Sequence, residues 1–307
     1  MTLAAAMTPP PKRSRSVALP VAPAPLKVIS GGLQSAACAP PSHAIHVQDY
    51  MAFLGTLPDK SVDLIITDPP YSGMNRKLNF GGGRIVGKYA SAGAAGGKWY
   101  ADLPDDPDLY RVFFEECHRV LRKNRHIYVM FDNESLLTLG PVFREVFALK
   151  SIIVWDKGHM GLGENYRRQH EIILFAKTQK GTRRLTSKAL ADVIYEKRIY
   201  NAAYPTQKPV ALFDRFVRAS VSSGFTVCDP FAGSGSTSIA ALQAGCSFVG
   251  ADISPRAVAI ANWRSKHFLK TCQDPLEGPG RLRGVAKAIR TSLTWLPGSE
   301  EPSVHGQ

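Results

Sequence analysis

From Ala44 onward, apolar positions recur in two alternating rhythms. Continuous short runs have the length and composition of buried strands: Ile45–Val47, Val62–Thr67, His126–Phe131, Ser151–Asp156, Glu171–Ala176, Phe225–Cys228 and Ser247–Ala251. Between them, apolar residues every third or fourth position predict helices over 50–57, 108–121, 136–149, 209–219, 237–244 and 254–268. Val112, Phe113, Cys117, Val120 and Leu121 show this spacing, and Leu212, Phe213, Phe216 and Val217 repeat it. Ser254-Pro255 is a cap followed by a helix-starting proline. Strands alternating with helices predict an α/β fold, a doubly wound and mostly parallel sheet. The runs at 151–156 and 171–176 have no helix-length crossover between them, so they should form an antiparallel hairpin at one end of that sheet.

The chain has 307 residues, enough for one large α/β domain with insertions or two small ones, and its 44% hydrophobic content gives it a real core. No run of about 18 apolar residues suggests a transmembrane span. Prolines interrupt the apolar stretch from Val17 to Leu26, so no secretion signal is expected. The five cysteines are odd in number and widely spaced, with neither a metal-ligand pattern nor a disulfide framework. That usage fits a reducing cytoplasm. A net charge of +13 favours a polyanionic partner, nucleic acid before a membrane surface.

Two stretches flank the folded domain predicted over 44–268, and two more are inserted within it. Residues 1–43 hold eight prolines and no acidic residue, and read as a disordered Pro/Ala-rich arm. Residues 72–100 form a long glycine-rich loop, expected to act as a mobile lid or a clamp. Trp99 and Tyr100 at its end are candidate wedges into DNA or core aromatics. Residues 177–204 set Lys177, Lys180, Arg183, Arg184, Lys188, Lys197 and Arg198 against only Asp192 and Glu196, a basic insertion suited to facing DNA or a solvated excursion. In the tail over 269–307, Leu282, Val285, Ile289 and Leu293 keep helical spacing, which leaves a docked helix and a frayed end both open.

Two strand ends carry the candidate chemistry. An apolar run, Leu64-Ile65-Ile66, delivers Asp68-Pro69-Pro70-Tyr71 to the carboxyl edge of the sheet, where open α/β sheets bind ligands. Asp68 is an acceptor-only carboxylate when ionised. Pro70 forces Pro69 into an extended conformation and so fixes its carbonyl as a second acceptor. Tyr71 offers a stacking face. Together they suit a planar molecule with an exocyclic amino group, such as adenine or cytosine; a strand ending in a proline turn is the plainer reading. The second end is Asp229-Pro230-Phe231-Ala232-Gly233-Ser234-Gly235, a strand–glycine loop–helix junction. Asp252 follows 23 positions after Asp229, where such folds bind ribose hydroxyls. A nucleotide-type cofactor follows, but neither the dinucleotide fingerprint nor the nucleoside triphosphate loop is present.

These segments, with Thr206-Gln207-Lys208-Pro209, resemble the three signature motifs of the DNA amino-methyltransferases, and their order resembles the beta group of that family. The resemblance implies S-adenosylmethionine as cofactor, double-stranded DNA as partner, and a circularly permuted seven-stranded sheet with one antiparallel strand. By the family pattern, Asp68, Pro69, Pro70 and Tyr71 would hold the target base, and Phe231, Gly233 and Gly235 would line the cofactor, after Asp229. Asp252 would hold its ribose, while Thr206 and Lys208 would sit by its methionine end, where a cation and a helix N-terminus suit a carboxylate. Arg167, Arg168 and His170 resemble the hairpin segment near the base, although a histidine such as His170 also serves structural roles. Arg183 and Arg184 are further DNA-contact candidates. An Asp at the first tetrapeptide position resembles the adenine-N6 enzymes more than the cytosine-N4 ones; the N4 reaction, a lapsed DNA-binding relative, and methylation of RNA or protein are the alternatives. No cysteine follows a proline, unlike the cytosine-C5 enzymes, and no metal site is expected. A bacterial or phage-encoded protein at the nucleoid is implied. Dimerisation and membership of a restriction system stay open.

Overall fold

Strand β2 (Val62–Thr67) is buried along its whole length. Leu64 and Ile66 join one core and Ile65 the other, so this strand is packed on both faces. The computed structural model describes residues 40–70, 104–161, 166–178, 183–204 and 206–291. The arm up to residue 39, Tyr71 and the glycine-rich loop with Trp99 and Tyr100, and Leu293 lie outside the described residues.

Around β2 the chain runs through β1 (His43–Val47), α1 (Tyr50–Thr56), α2 (Pro107–Val120), β3 (Leu121–Phe131), α3 (Asn133–Val146), β4 (Ala148–Asp156) and β5 (His170–Lys177). It continues through β6 (Val193–Tyr195), α4 (Val210–Ser220), β7 (Thr226–Asp229), α5 (Ser236–Gln243), β8 (Ser247–Asp252), α6 (Pro255–Thr271) and α7 (Val285–Thr291). Local chemistry sets the ends of several helices. Asp49, Asp106, Asp132 and Ser254 each cap a helix by accepting bonds from first-turn amides. Pro209, expected as the first residue of its helix, is instead the extended cap residue before Val210.

Among the described residues the strands form one sheet in the order β1-β8-β7-β2-β3-β5-β4-β6. β5 pairs antiparallel with β3 and β4, and the remaining pairs are parallel. The β4–β5 hairpin expected from the sequence is therefore present. The sheet carries one strand beyond the seven expected, the edge strand β6 inside the basic 177–204 stretch, whose three residues are too few to leave a periodic signal. Helices α4, α5 and α6 cover one face, and α1, α2 and α3 the other.

At the amino edge, Asp63 is buried and takes both Nη1 of Arg122 (2.9 and 3.0 Å) and Nε of Arg125 (3.0 Å), together with the amide of Thr226 (3.1 Å). One carboxylate thus ties β2, β3 and β7 together. The tail beyond α6 docks: Leu276, Ala286 and Ile289 are buried against Ala203, Tyr204, Ala257 and Ile260.

Candidate active site

β7 and β2 lie side by side at the centre of the sheet, and the chain leaves them in opposite directions, to β8 on one side and β3 on the other. That is the switch point at which doubly wound sheets open a crevice beyond their carboxyl ends. The tips of both strands end in acidic residues, Asp229 on β7 and Asp68 just past β2. A cleft of about 1090 Å³, open solvent at its mouth included, lies between them. Asp68, Pro69, Pro70, Thr206, Lys208, Asp229, Phe231, Gly233 and Asp252 all line it. The sequence-predicted halves therefore share a single cavity.

Three carboxylates in this cleft have different surroundings. Asp229 is buried and accepts from the Thr237 hydroxyl (2.7 Å) and the Phe231 amide (3.0 Å). Burial outweighs those bonds and pushes its carboxyl up to about 7. Asp252, at the tip of β8, accepts from the amides of Gly233 (3.0 Å) and Ser254 (2.9 Å). Burial raises its carboxyl as well, against the pull of those two amides. Asp68 instead forms an ion pair with Lys208, whose ammonium also lies 3.6 Å from Glu171. Burial works to discharge Lys208, but the two carboxylates outweigh it and hold the ammonium above its ordinary range. Burial likewise opposes ionisation of Glu171, yet Lys208 and Lys157 bring its carboxyl below the usual range.

Backbone and rings shape the rest. Thr206 sits in the left-handed region (φ 63°), a conformation that costs a non-glycine residue roughly 1–3 kcal/mol and is held by its surroundings. Phe231 stacks on Tyr50, with ring centroids 4.9 Å apart and planes 28° from parallel. Gly233 (φ 51°) faces the cleft. Gly235 (φ 80°) is absent from the lining and packs on α6 instead: a Cβ there would stand 2.9 Å from that of Ala261. The missing side chain lets the start of α5 approach α6 closely.

The basic candidates separate. Arg168 bonds Asp132 at the tip of β3 (3.1 Å), Arg167 bonds the Gly161 carbonyl (2.7 Å), and His170 begins β5 opposite Asp156. All three lie on the carboxyl edge, with Asp68. Arg183 lies elsewhere. Its guanidinium bonds the carbonyl of Ser220 at the far end of α4 (2.7 Å), and its carbon stands 5.8 Å from the Phe225 ring. Arg183 and its neighbour Arg184 are therefore at the amino edge, one α4 length of about 16 Å from the cleft. They are not brought together with Asp68, because a tally of charge along the chain does not say which edge the segment crosses.

Three lining residues were not singled out in the sequence, Asp49, Tyr50 and Tyr204, while Gln207 in the lining and Glu171 behind Lys208 were named only as members of motifs, without a role. Asp49-Tyr50 follows the end of β1 after one intervening residue, a strand-tip position comparable to that of Asp68, and that parallel was the available signal. Among the described residues no cluster of His, Cys, Asp and Glu has metal-ligand geometry, and no helix is long and apolar enough to cross a membrane.

A family model described as DNA methylase matches residues 62–262, both strand tips included. The chain belongs to the DNA methylase family. Among curated relatives, the DNA adenine methyltransferase YhdJ of Escherichia coli (strain K12) is 31% identical over 248 residues, 69% of this chain and 79% of that protein. Solved DNA methylases share the fold. The cytosine-N4-specific PvuII DNA methyltransferase superposes with a TM-score of 0.55 at 14% identity, over 82% of this chain and 93% of that one. The M1.HpyAVI–SAM complex gives a TM-score of 0.51 at 20% identity, over 72% and 99%.

Proposed function

We propose that this DNA methylase transfers a methyl group from S-adenosylmethionine to the N6 amine of an adenine flipped out of duplex DNA. The observation that carries the reading is the single cleft shared by Asp68-Pro69-Pro70 and the loop from Asp229 to Gly233. The relative with the adenine activity covers two thirds of the chain, and the neighbour holding S-adenosylmethionine has the same fold.

The cleft's own donors and acceptors fit that cofactor. Asp252 is an acidic acceptor at a strand tip, suited to ribose hydroxyls, and Phe231 supplies an aromatic wall. Thr206 and Lys208 are the polar pair at its other side, the Lys208 ammonium being held by Asp68 and Glu171. When bound, S-adenosylmethionine supplies an electrophilic sulfonium methyl.

The remaining work falls to the chain. A base within a duplex cannot reach the cleft, so it must be extruded at a cost of a few kcal/mol. Tyr71, adjoining Pro70, supplies the stacking face, and a base–aromatic stack is worth about 1–3 kcal/mol. The adenine amine is a weak nucleophile because its lone pair is delocalised into the ring. Asp68 and the Pro69 carbonyl accept its two N–H groups, which localises that pair and aims it. Asp68 is also placed to take the proton the amine sheds. The ion pair with Lys208 fixes the Asp68 carboxylate in orientation, so the acceptor is set before the base arrives. Arg167, Arg168 and His170, on the same edge, serve the DNA backbone near the flipped base, and the site is reached in the bacterial cytoplasm, where the genome lies.

Incubation with methyl-labelled S-adenosylmethionine and duplex DNA, followed by digestion to nucleosides, tests this. N6-methyladenine is the expected product. Label on cytosine N4 alone would overturn the choice of base, and label only on RNA or protein would overturn DNA as substrate.

A further inference from the structure

The tail beyond the family match reaches the segments that line the cleft. We infer that Arg264, Asp274 and Glu277 form a buried clasp that joins the two loops lining the cofactor site, making Arg264 and Glu277 positioning residues for cofactor binding. This rests on reading the cleft as the S-adenosylmethionine site.

Arg264 is fully buried in α6, the largest buried cation of the described chain. Its Nε and Nη2 meet the two oxygens of Asp274 at 2.8 and 2.6 Å, a bidentate pair that already neutralises it. Yet a second carboxylate, Glu277, also lies 2.7 Å from Nη2. A carboxylate surplus to charge balance needs another reason to be there, and its other bonds supply one. Glu277 Oε1 accepts from the Gln207 side chain (3.0 Å) and Oε2 from the Val210 amide (3.0 Å). Gln207 and Val210 flank Lys208, and the negative charge sits on the N-terminus of α4, which favours it.

The other side of the guanidinium reaches the glycine loop. Arg264 Nη1 donates to the Ser234 carbonyl (3.2 Å) and to Ser236 Oγ (3.1 Å). That hydroxyl in turn donates to the Lys208 carbonyl (2.7 Å). Ser234 and Ser236 bracket Gly235, as Gln207 and Val210 bracket Lys208. A single buried cation therefore fixes the spacing between the glycine loop and the Thr206–Lys208 segment, the two walls between which the cofactor must fit. Glu277 also takes the first amide of α4, at Val210, in the helix end that the sequence offered to the cofactor's carboxylate.

The test uses the full-length chain with Glu277→Ala, Glu277→Gln and, as a packing control in the same tail, Leu276→Ala. S-adenosylmethionine affinity is read by titration calorimetry, and KM for each substrate, kcat and thermal stability are measured alongside. Loss of a bond to a charged group corresponds to about a tenfold change in an equilibrium constant. Glu277→Ala should therefore weaken cofactor binding and raise its KM by about that factor, with kcat and KM for DNA nearly unchanged. Glu277→Gln keeps an acceptor for Val210 and should recover part of the loss; it also decides the matter if Glu277→Ala fails to fold. Leu276→Ala should lower the melting temperature and leave cofactor affinity intact. In the ligand-free protein, hydrogen exchange at Gly233 to Ser236 should quicken in Glu277→Ala and not in Leu276→Ala. Equal cofactor affinity in wild type and both Glu277 variants, or an equal loss in Leu276→Ala, would overturn the clasp alone. A wild-type chain that binds no S-adenosylmethionine would overturn the reading of the cleft, and the clasp with it.

Discussion

Asp63 and Asp229 stand on neighbouring strands at opposite edges of one sheet, 2% and 3% exposed. Burial alone does not distinguish them. Asp63 is met by the guanidinium groups of Arg122 and Arg125 and by a backbone amide. Asp229 receives a hydroxyl and an amide, and no cation is bonded to it among the described residues. The first carboxylate knits three strands; the second is left with a carboxyl near neutrality. Positive charge is not scarce at the carboxyl edge, but Lys208 is committed to Asp68 and Glu171 rather than to Asp229. What surrounds a buried acid therefore decides whether it secures the sheet or stays responsive, and this molecule keeps the two uses on separate rims.

The sharpest way to break this division is at Asp68. Asp68→Ala should lower kcat for methyl transfer by about 10³-fold, the order seen when one preorganised polar group is removed, while cofactor binding persists. Near-normal turnover in that variant would remove the carboxyl edge from the chemistry. At the other rim, Asp63→Ala leaves two arginines facing each other, and unfolding in urea should reveal a loss of about 3 kcal/mol. Its specific activity while folded should stay close to that of the wild type. A large activity loss without a stability change would erase the contrast.

The smallest effects are in pH dependence, and the two rims should oppose each other. Asp229 has a folded pKa raised to about 7, above its unfolded value, so its contribution to stability is present in acid and lost as pH rises through 7. His126, at the amino edge, is pushed down to about 4, chiefly by burial, then by Arg183, Lys177 and Arg125. Its contribution is present above its unfolded value near 6.5 and lost as pH falls towards 4. Between those limits the two contributions change with pH in opposite directions. Asp229→Asn should therefore make the fold more acid-sensitive, and His126→Gln less so. Urea midpoints measured from pH 4.5 to 7 would show both slopes, and parallel curves for the two variants would contradict the assignment.

Much of this architecture was legible because periodicity is a local signal. β2 runs from Val62 to Thr67 as expected, and Ser254-Pro255 opens α6 as expected. β3 starts five residues earlier than its apolar run, since Arg122 and Arg125 are polar by type but are drawn into the sheet by Asp63. The two acidic strand tips and the Thr206–Lys208 segment were legible as motifs, and they meet in one cleft. Contacts between distant residues were not. Nothing near Gln207 announces Glu277, 70 positions away, and nothing in the composition of 177–204 says that Arg183 reaches back to Ser220. Lys208 was read as a partner for the cofactor alone, and only the fold reveals that its ammonium lies on Asp68.

The cleft is lined by Asp49 near one end of the described chain and braced by Glu277 near the other. During synthesis, then, a ribosome that has released the first strand and its acidic tip still holds a protein with no finished site. The brace is the last part to emerge, so products cut short before Glu277 should hold the cofactor less tightly than the finished chain.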